Sequence, residues 1–100
     1  MAVQVIWSGV AAGDLDDIRA YISRDSGRYA KNVIERILAS GRLLERFPFA
    51  GRRVPELNDD RYRELIVYRY RVIYSVDGNL VTIITVIHGA RLLPPDIGMR

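Results

Sequence analysis

"YRVIYSVDGNLVTIITVIH", residues 70–88, decides the fold. Its centre, Asp77-Gly78-Asn79, is a strong hairpin signal, because these residues tolerate the positive φ of a tight turn. On the first arm Val72, Tyr74 and Val76 alternate with Arg71, Ile73 and Ser75, a period of two that gives a strand with two unlike faces. The second arm is apolar at nearly every position, as in a central strand covered on both sides. The hairpin ends in His88, the only histidine of the chain, with Arg91 close behind.

Working back from the hairpin, "RYRELIVY" (61–68) reads as a third strand of the same meander. Before it, "FPFAGRRVPELNDD" (47–60) is broken by Pro48, Gly51 and Pro55 and reads as a loop, of a length that often carries function. Further back the period becomes helical. Ala11, Leu15, Ile18 and Ile22 make one stripe; Ala30, Val33, Ile34, Ile37, Leu38, Gly41 and Leu44 make a longer one. "RDSGR" (24–28) is the turn between them, so the two helices form an antiparallel hairpin. Ser8 is placed to cap the first helix. Asp14, Asp16 and Asp17 lie in its first half, where the helix dipole favours negative charge. Ahead of it Val3, Val5 and Trp7 alternate as a short first strand. The order strand, two helices, three strands predicts one α+β domain over 1–100, its helices on one face of a mainly antiparallel sheet.

Composition narrows the chemistry. The chain has 100 residues and no cysteine, which excludes disulfides and thiolate metal sites. With a single histidine, a zinc centre is not expected. No apolar run approaches the length of a membrane span, and the N-terminus lacks the pattern of a signal peptide, so a cytoplasmic protein without metal or cofactor is expected. The net charge is +3, and every basic residue except Lys31 is arginine, a side chain suited to carboxylate and phosphate.

Arg63 and Arg71 are expected on the sheet face opposite Val72 and Tyr74, with His88 and Arg91 near them. Such a group can hold a phosphate, but composition alone favours a solvated polar face balanced by Glu64 and Asp77. Histidine titrates near neutrality, so His88 is a candidate general acid or base, although no hydrolase triad accompanies it. Tyr62, Tyr68, Tyr70 and Tyr74 interleave with Arg61, Arg63, Arg69 and Arg71, a pattern suited to stacking single-stranded RNA and also common on half-exposed strands.

Three stretches, "AAGDLDDIRAYI" (11–22), "YRELIVYRYRVIYSV" (62–76) and "VIHGARLL" (86–93), resemble the ParE/RelE toxin superfamily of type II toxin–antitoxin modules. The resemblance runs from Trp7 to Leu93 and implies a helical hairpin on an antiparallel sheet. RelE-like members cut messenger RNA on the ribosome with basic residues; ParE-like members poison DNA gyrase without a catalytic set. Arg71 matches an active-site arginine of the RelE-like branch, and Arg91 lies near its second basic position. The segment after His88 has no tyrosine and ends on a remote Arg100. That departure, with "HGAR" and the DLDDI-type helix, is more similar to ParE. The resemblance thus implies a gyrase-inhibiting, growth-arresting toxin of the plasmid-stabilisation kind, neutralised by a ParD-like antitoxin. The alternative is a RelE-like nuclease with a RelB-like antitoxin, acting on ribosome and mRNA through Arg71, His88, Arg91 and Arg63. Those four are also the candidates for target contact in the ParE-like reading. The antitoxin is expected on apolar surface left open along the helices, near Tyr21, Ile22 or Tyr29.

Overall fold

In the computed structural model, which describes residues 3–94, the chain runs β1 (Gln4–Trp7), α1 (Gly9–Ser23), α2 (Gly27–Arg46), β2 (Arg52–Arg53), β3 (Tyr62–Val67), β4 (Tyr70–Asp77) and β5 (Leu80–His88). The five strands form one sheet in the order β1-β5-β4-β3-β2. β1 runs parallel to β5 and every other pair is antiparallel. The expected α+β architecture is the one observed, a first strand, a helical hairpin and a meander that complete a single sheet. The two-residue β2 is the addition, formed inside the segment read as a loop.

Each helix starts where a serine can cap it. Ser8 Oγ accepts from the Ala11 amide, and Ser26 Oγ accepts from the Tyr29 amide, satisfying N–H groups that have no partner within the helix. Along α2, Ala30, Val33, Ile34, Ile37 and Leu44 are buried against the sheet, each large aliphatic side chain contributing about 1.5–3 kcal/mol by leaving water. Gly41 lies under Trp7: a Cβ there would stand 3.0 Å from the indole ring, so the absent side chain lets α2 close on β1.

β5 sits between β1 and β4 and is covered on both faces. Val81, Ile83 and Val86 join the helix-side core with Val72, Tyr74 and Val76. On the outer face a smaller cluster joins Val54, Ile73, Ile84 and Leu93. Asp14 has an unexpected place in this arrangement. β1 ends at the Trp7–Ile83 pair, beyond which β5 has no neighbour on that side. Asp14 Oδ2 reaches across from α1 and accepts from Thr85 Oγ1 and from the Val86 amide (2.9 Å), standing in for the missing strand.

Two tight turns close the meander. Gly78 takes φ 58° between Asp77 and Leu80, as the Asp-Gly-Asn signal implies. Between β3 and β4 the turn residues are Tyr68 and Arg69, with Tyr68 at φ 53°, a left-handed conformation that is costly for a bulky residue.

Candidate functional site

Alternation along β4 sends Arg71 to the outer face of the sheet, where its side chain is only 6% exposed. There it is saturated. Nε donates to Glu64 Oε1 (2.8 Å), and Nη1 and Nη2 donate to the two oxygens of Glu56 (2.7 Å each). Nη1 also donates to the Arg91 carbonyl (3.1 Å). Glu64, itself fully buried, gives its other oxygen to Arg52 Nε (2.6 Å). Glu56 accepts in addition from the Leu93 amide (3.0 Å), so one carboxylate ties the segment after β5 to the sheet. The Arg71 guanidinium holds the Glu56 carboxyl down at about 2, against the opposing effect of burial. In return Glu56, and then Glu64, raise Arg71 above the arginine range despite its burial.

The other three expected partners do not gather around Arg71. Arg63 is in register with Tyr74, while Arg71 is in register with Ile66. Residues opposite one another share a face, so Arg63 lies on the side of Leu65 and Val67, and the expectation that Arg63 and Arg71 share the outer face is corrected. Arg63 stacks over the Phe49 ring at 5.2 Å and donates to the Asp60 carbonyl. His88 pairs with Tyr70 and stands edge-on to its ring at 5.8 Å, again on the helix side. Arg91 alone stays near Arg71, through its carbonyl, and its side chain helps line a depression of about 330 Å³ with Arg52 and Ile66. The tyrosine–arginine alternation is also divided. Tyr74 is fully buried, accepting at its hydroxyl from the Gly51 amide (2.9 Å), and Tyr62 packs on the outer cluster. They form no common stacking platform with Tyr68 and Tyr70.

A second site appears instead on the helix side. The end of α1, the start of α2, the β3–β4 turn and the end of β5 meet around a depression of about 390 Å³. It is lined by Tyr21, Ile22, Tyr29, Tyr68, Tyr70 and His88, with Asp25 and Arg69 also contributing. Tyr21, Tyr29 and Tyr68 are well exposed, and Tyr29 meets Tyr68 edge-to-face at 6.1 Å. Ile22 is buried in the core and forms part of the floor, so it offers less surface than the two tyrosines. Burial, followed by the neighbouring Tyr21 and Tyr29 hydroxyls, pushes the Tyr70 hydroxyl up. Leu38 and Leu43 add exposed apolar surface further along α2, so the helices do not present a continuous polar face. Among the described residues no three His, Asp or Glu side chains come together as a metal site, and no helix is long and apolar enough to cross a membrane.

The sequence reading missed Glu56, and took Glu64 only as a charge balancing a solvated face. The signal for Glu64 was its place on a strand beside one carrying Arg71; Glu56 lies in an irregular segment whose path no periodicity gives.

Comparison with known proteins agrees with this architecture. Residues 5–93 match the family model described as the ParE toxin of type II toxin–antitoxin systems, parDE. A curated relative from Caulobacter vibrioides, Toxin RelE2, is 36% identical over 90 residues, covering 89% of this chain and 98% of that protein. Among solved structures, the chromosomal ParDE system of P. aeruginosa superposes with a TM-score of 0.73 at 20% identity, over 87% of this chain and 96% of the other. The RelBE2 toxin–antitoxin complex of Mycobacterium tuberculosis gives 0.59 at 23% identity, over 88% and 99%. At these identities the two structures speak for the fold alone. The family match over nearly the whole described chain, joined to the helical hairpin on its mixed sheet, leads to one conclusion: the chain belongs to the ParE toxin family of type II toxin–antitoxin systems.

Proposed function

We propose that this toxin acts by inhibiting DNA gyrase in the cytoplasm, blocking replication, and that a ParD-like antitoxin neutralises it. The observation that carries the reading is the state of Arg71. Every face of its guanidinium is taken by Glu56, Glu64 or the Arg91 carbonyl, and Arg63 and His88 stand across the sheet from it. A phosphate would have to displace a charge-assisted, two-pronged carboxylate before any transfer chemistry began. That arrangement supports a protein that works by contact. The depression around Tyr21, Tyr29 and Ile22 supports an antitoxin anchor, since its aromatic walls suit a bulky apolar side chain. A supercoiling assay with purified gyrase, plasmid and ATP tests the target. Loss of supercoiling with accumulation of linear, protein-linked DNA is the expected result; unaffected gyrase in the presence of folded toxin refutes it.

One observation favours a second reading, ribosome-dependent mRNA cleavage: the relative at 36% identity is named Toxin RelE2, and Arg52, Arg71 and Arg91 line one depression. In that reading Arg71 and Arg91 are the groups around the scissile phosphate. Cleavage of mRNA on purified ribosomes, abolished by Arg71→Ala, would establish it.

A further inference from the structure

The turn that closes α2 carries two phenylalanines that the core does not use. Phe47 and Phe49 are 55% and 58% exposed, although this residue type gains much by leaving water. The segment that holds them is fixed. The Ala50 amide donates to the Phe47 carbonyl (3.0 Å), closing a tight turn, and the Gly51 amide donates to the hydroxyl of the buried Tyr74 (2.9 Å). Gly51 lies so close to the Glu64 carbonyl that a side chain there would collide with it. The core thus holds the turn from below and presents both rings to solvent.

Guanidinium groups gather on these rings. Arg46 stands over Phe47 at 5.9 Å and Arg63 over Phe49 at 5.2 Å. Arg42 lies one helical turn before Arg46, on the same face of α2. Arg63 donates to two neutral carbonyls, those of Asp60 (3.1 Å) and Gly51 (3.4 Å), so its charge is not cancelled; the Asp60 carboxylate is turned to Arg53. Among the described residues, Arg42, Arg46 and Arg63 have no carboxylate partner, whereas Arg52 and Arg53 on β2 are both paired. From residue 42 to residue 53 the chain carries four arginines and one acidic residue, Glu45.

A guanidinium takes one face of a ring and leaves the other open to a second flat group. Open rings beside uncompensated positive charge match a strand of unpaired bases joined by phosphates. An apolar protein surface would cover the rings and leave the charge unanswered. A duplex would answer the charge but keep its bases stacked on one another.

We infer that the turn from Phe47 to Phe49 is a binding platform for single-stranded DNA. Phe47 and Phe49 stack bases, and Arg42, Arg46 and Arg63 hold the phosphates. The choice of DNA over RNA rests on the gyrase reading, in which the target holds opened DNA. The platform itself uses residues that line neither the Arg71 depression nor the tyrosine depression.

The probe is a fluorescently labelled oligothymidylate of about twelve nucleotides, titrated with the folded toxin and read by anisotropy. The logarithm of affinity is expected to fall with the logarithm of salt at a slope of about 2, and Arg46→Gln to reduce that slope by about 0.7. Phe47→Ala and Phe49→Ala are each expected to weaken binding about tenfold, while Phe49→Tyr, which keeps a ring, binds as the wild type does. Should Phe49→Ala fail to fold, Phe49→Leu keeps the apolar bulk and is expected to show the same loss. An abasic strand of equal length is expected to bind with the same salt slope and no dependence on either phenylalanine. No binding at low salt, or unchanged affinity in both alanine variants, overturns the inference whatever the gyrase assay gives. Loss of gyrase inhibition in those variants with oligonucleotide binding intact overturns it in favour of a protein surface. A clear preference for oligouridylate, with gyrase unaffected by the wild-type toxin, overturns the choice of DNA together with the gyrase reading.

Discussion

Replacing Arg71 by methionine tests the ion network in the way most sensitive to its geometry. The substitution keeps the aliphatic stem and removes the donors that face Glu56, Glu64 and the Arg91 carbonyl. Glu56 is 23% exposed and turns to water, but Glu64 is fully buried and keeps only Arg52. Removing one partner from a buried ion pair costs about 3–5 kcal/mol, and the remaining Arg52 contact sets the expectation at the lower end, about 3 kcal/mol. For a 100-residue chain that is a fall in Tm of roughly 12–24 °C. Glu64→Leu alone leaves Arg71 its two-pronged Glu56, so the loss is smaller, about 1–2 kcal/mol. In the double variant the buried carboxylate is gone, and Glu64→Leu changes sign: it restores at least about 1 kcal/mol to the Arg71→Met background. Urea unfolding of the four proteins, followed by circular dichroism, reads the cycle. Equal losses for the two single variants, or strict additivity in the double, would refute the claim that Glu64 depends on Arg71.

Acid should act on the same network through Glu56. Its folded pKa of about 2 lies below the ordinary 4.5, so its contribution is present above pH 4.5 and is lost as the pH falls toward 2. Glu56→Gln should flatten this part of the stability–pH curve while lowering stability at pH 7. Asp59, held low by Arg61, leaves a residual slope in both proteins. Gly51→Ala places a methyl group against the Glu64 carbonyl and 2.8 Å from the Tyr74 hydroxyl. A loss of about 2–3 kcal/mol in thermal unfolding is expected, and a neutral result would show that β2 yields freely. Tyr68→Asn relieves a left-handed tyrosine and should raise stability by about 1 kcal/mol while weakening antitoxin binding. A lower Tm would mean that the contact with Tyr29 outweighs the strain.

Much of the fold was legible because local chemistry and global packing agree at the same residues. Ser8 caps the first helix, the two apolar stripes face the sheet, and Asp77-Gly78-Asn79 turns the last hairpin. The β3–β4 connection was less legible. Tyr68 and Arg69 carry no turn signal, so the register of β3 was not fixed by sequence, and a change of one residue moves Arg63 to the other face. The composition of the candidate site failed for a related reason. Sequence separates residues into faces strand by strand, but it does not say which carboxylate an arginine will meet after the chain has crossed a loop. Glu56 reaches Arg71 from such a loop. Asp14, read as a helix-dipole residue, serves a strand 71 positions away.

The interior position of β5, between β1 and β4, has a consequence for synthesis. β5 is the last of the five strands to be made, yet β1, α1 and β4 all depend on it, with Gln4 waiting for Leu80. Pairing residues so far apart is a non-local event that follows, and cannot precede, translation of β5. Until then the apolar face of α1 lacks the strand it packs on. A polypeptide interrupted before residue 80 lacks Val81, Ile83 and Val86 of the helix-side core, so the toxin's fold closes only once β5 has been made.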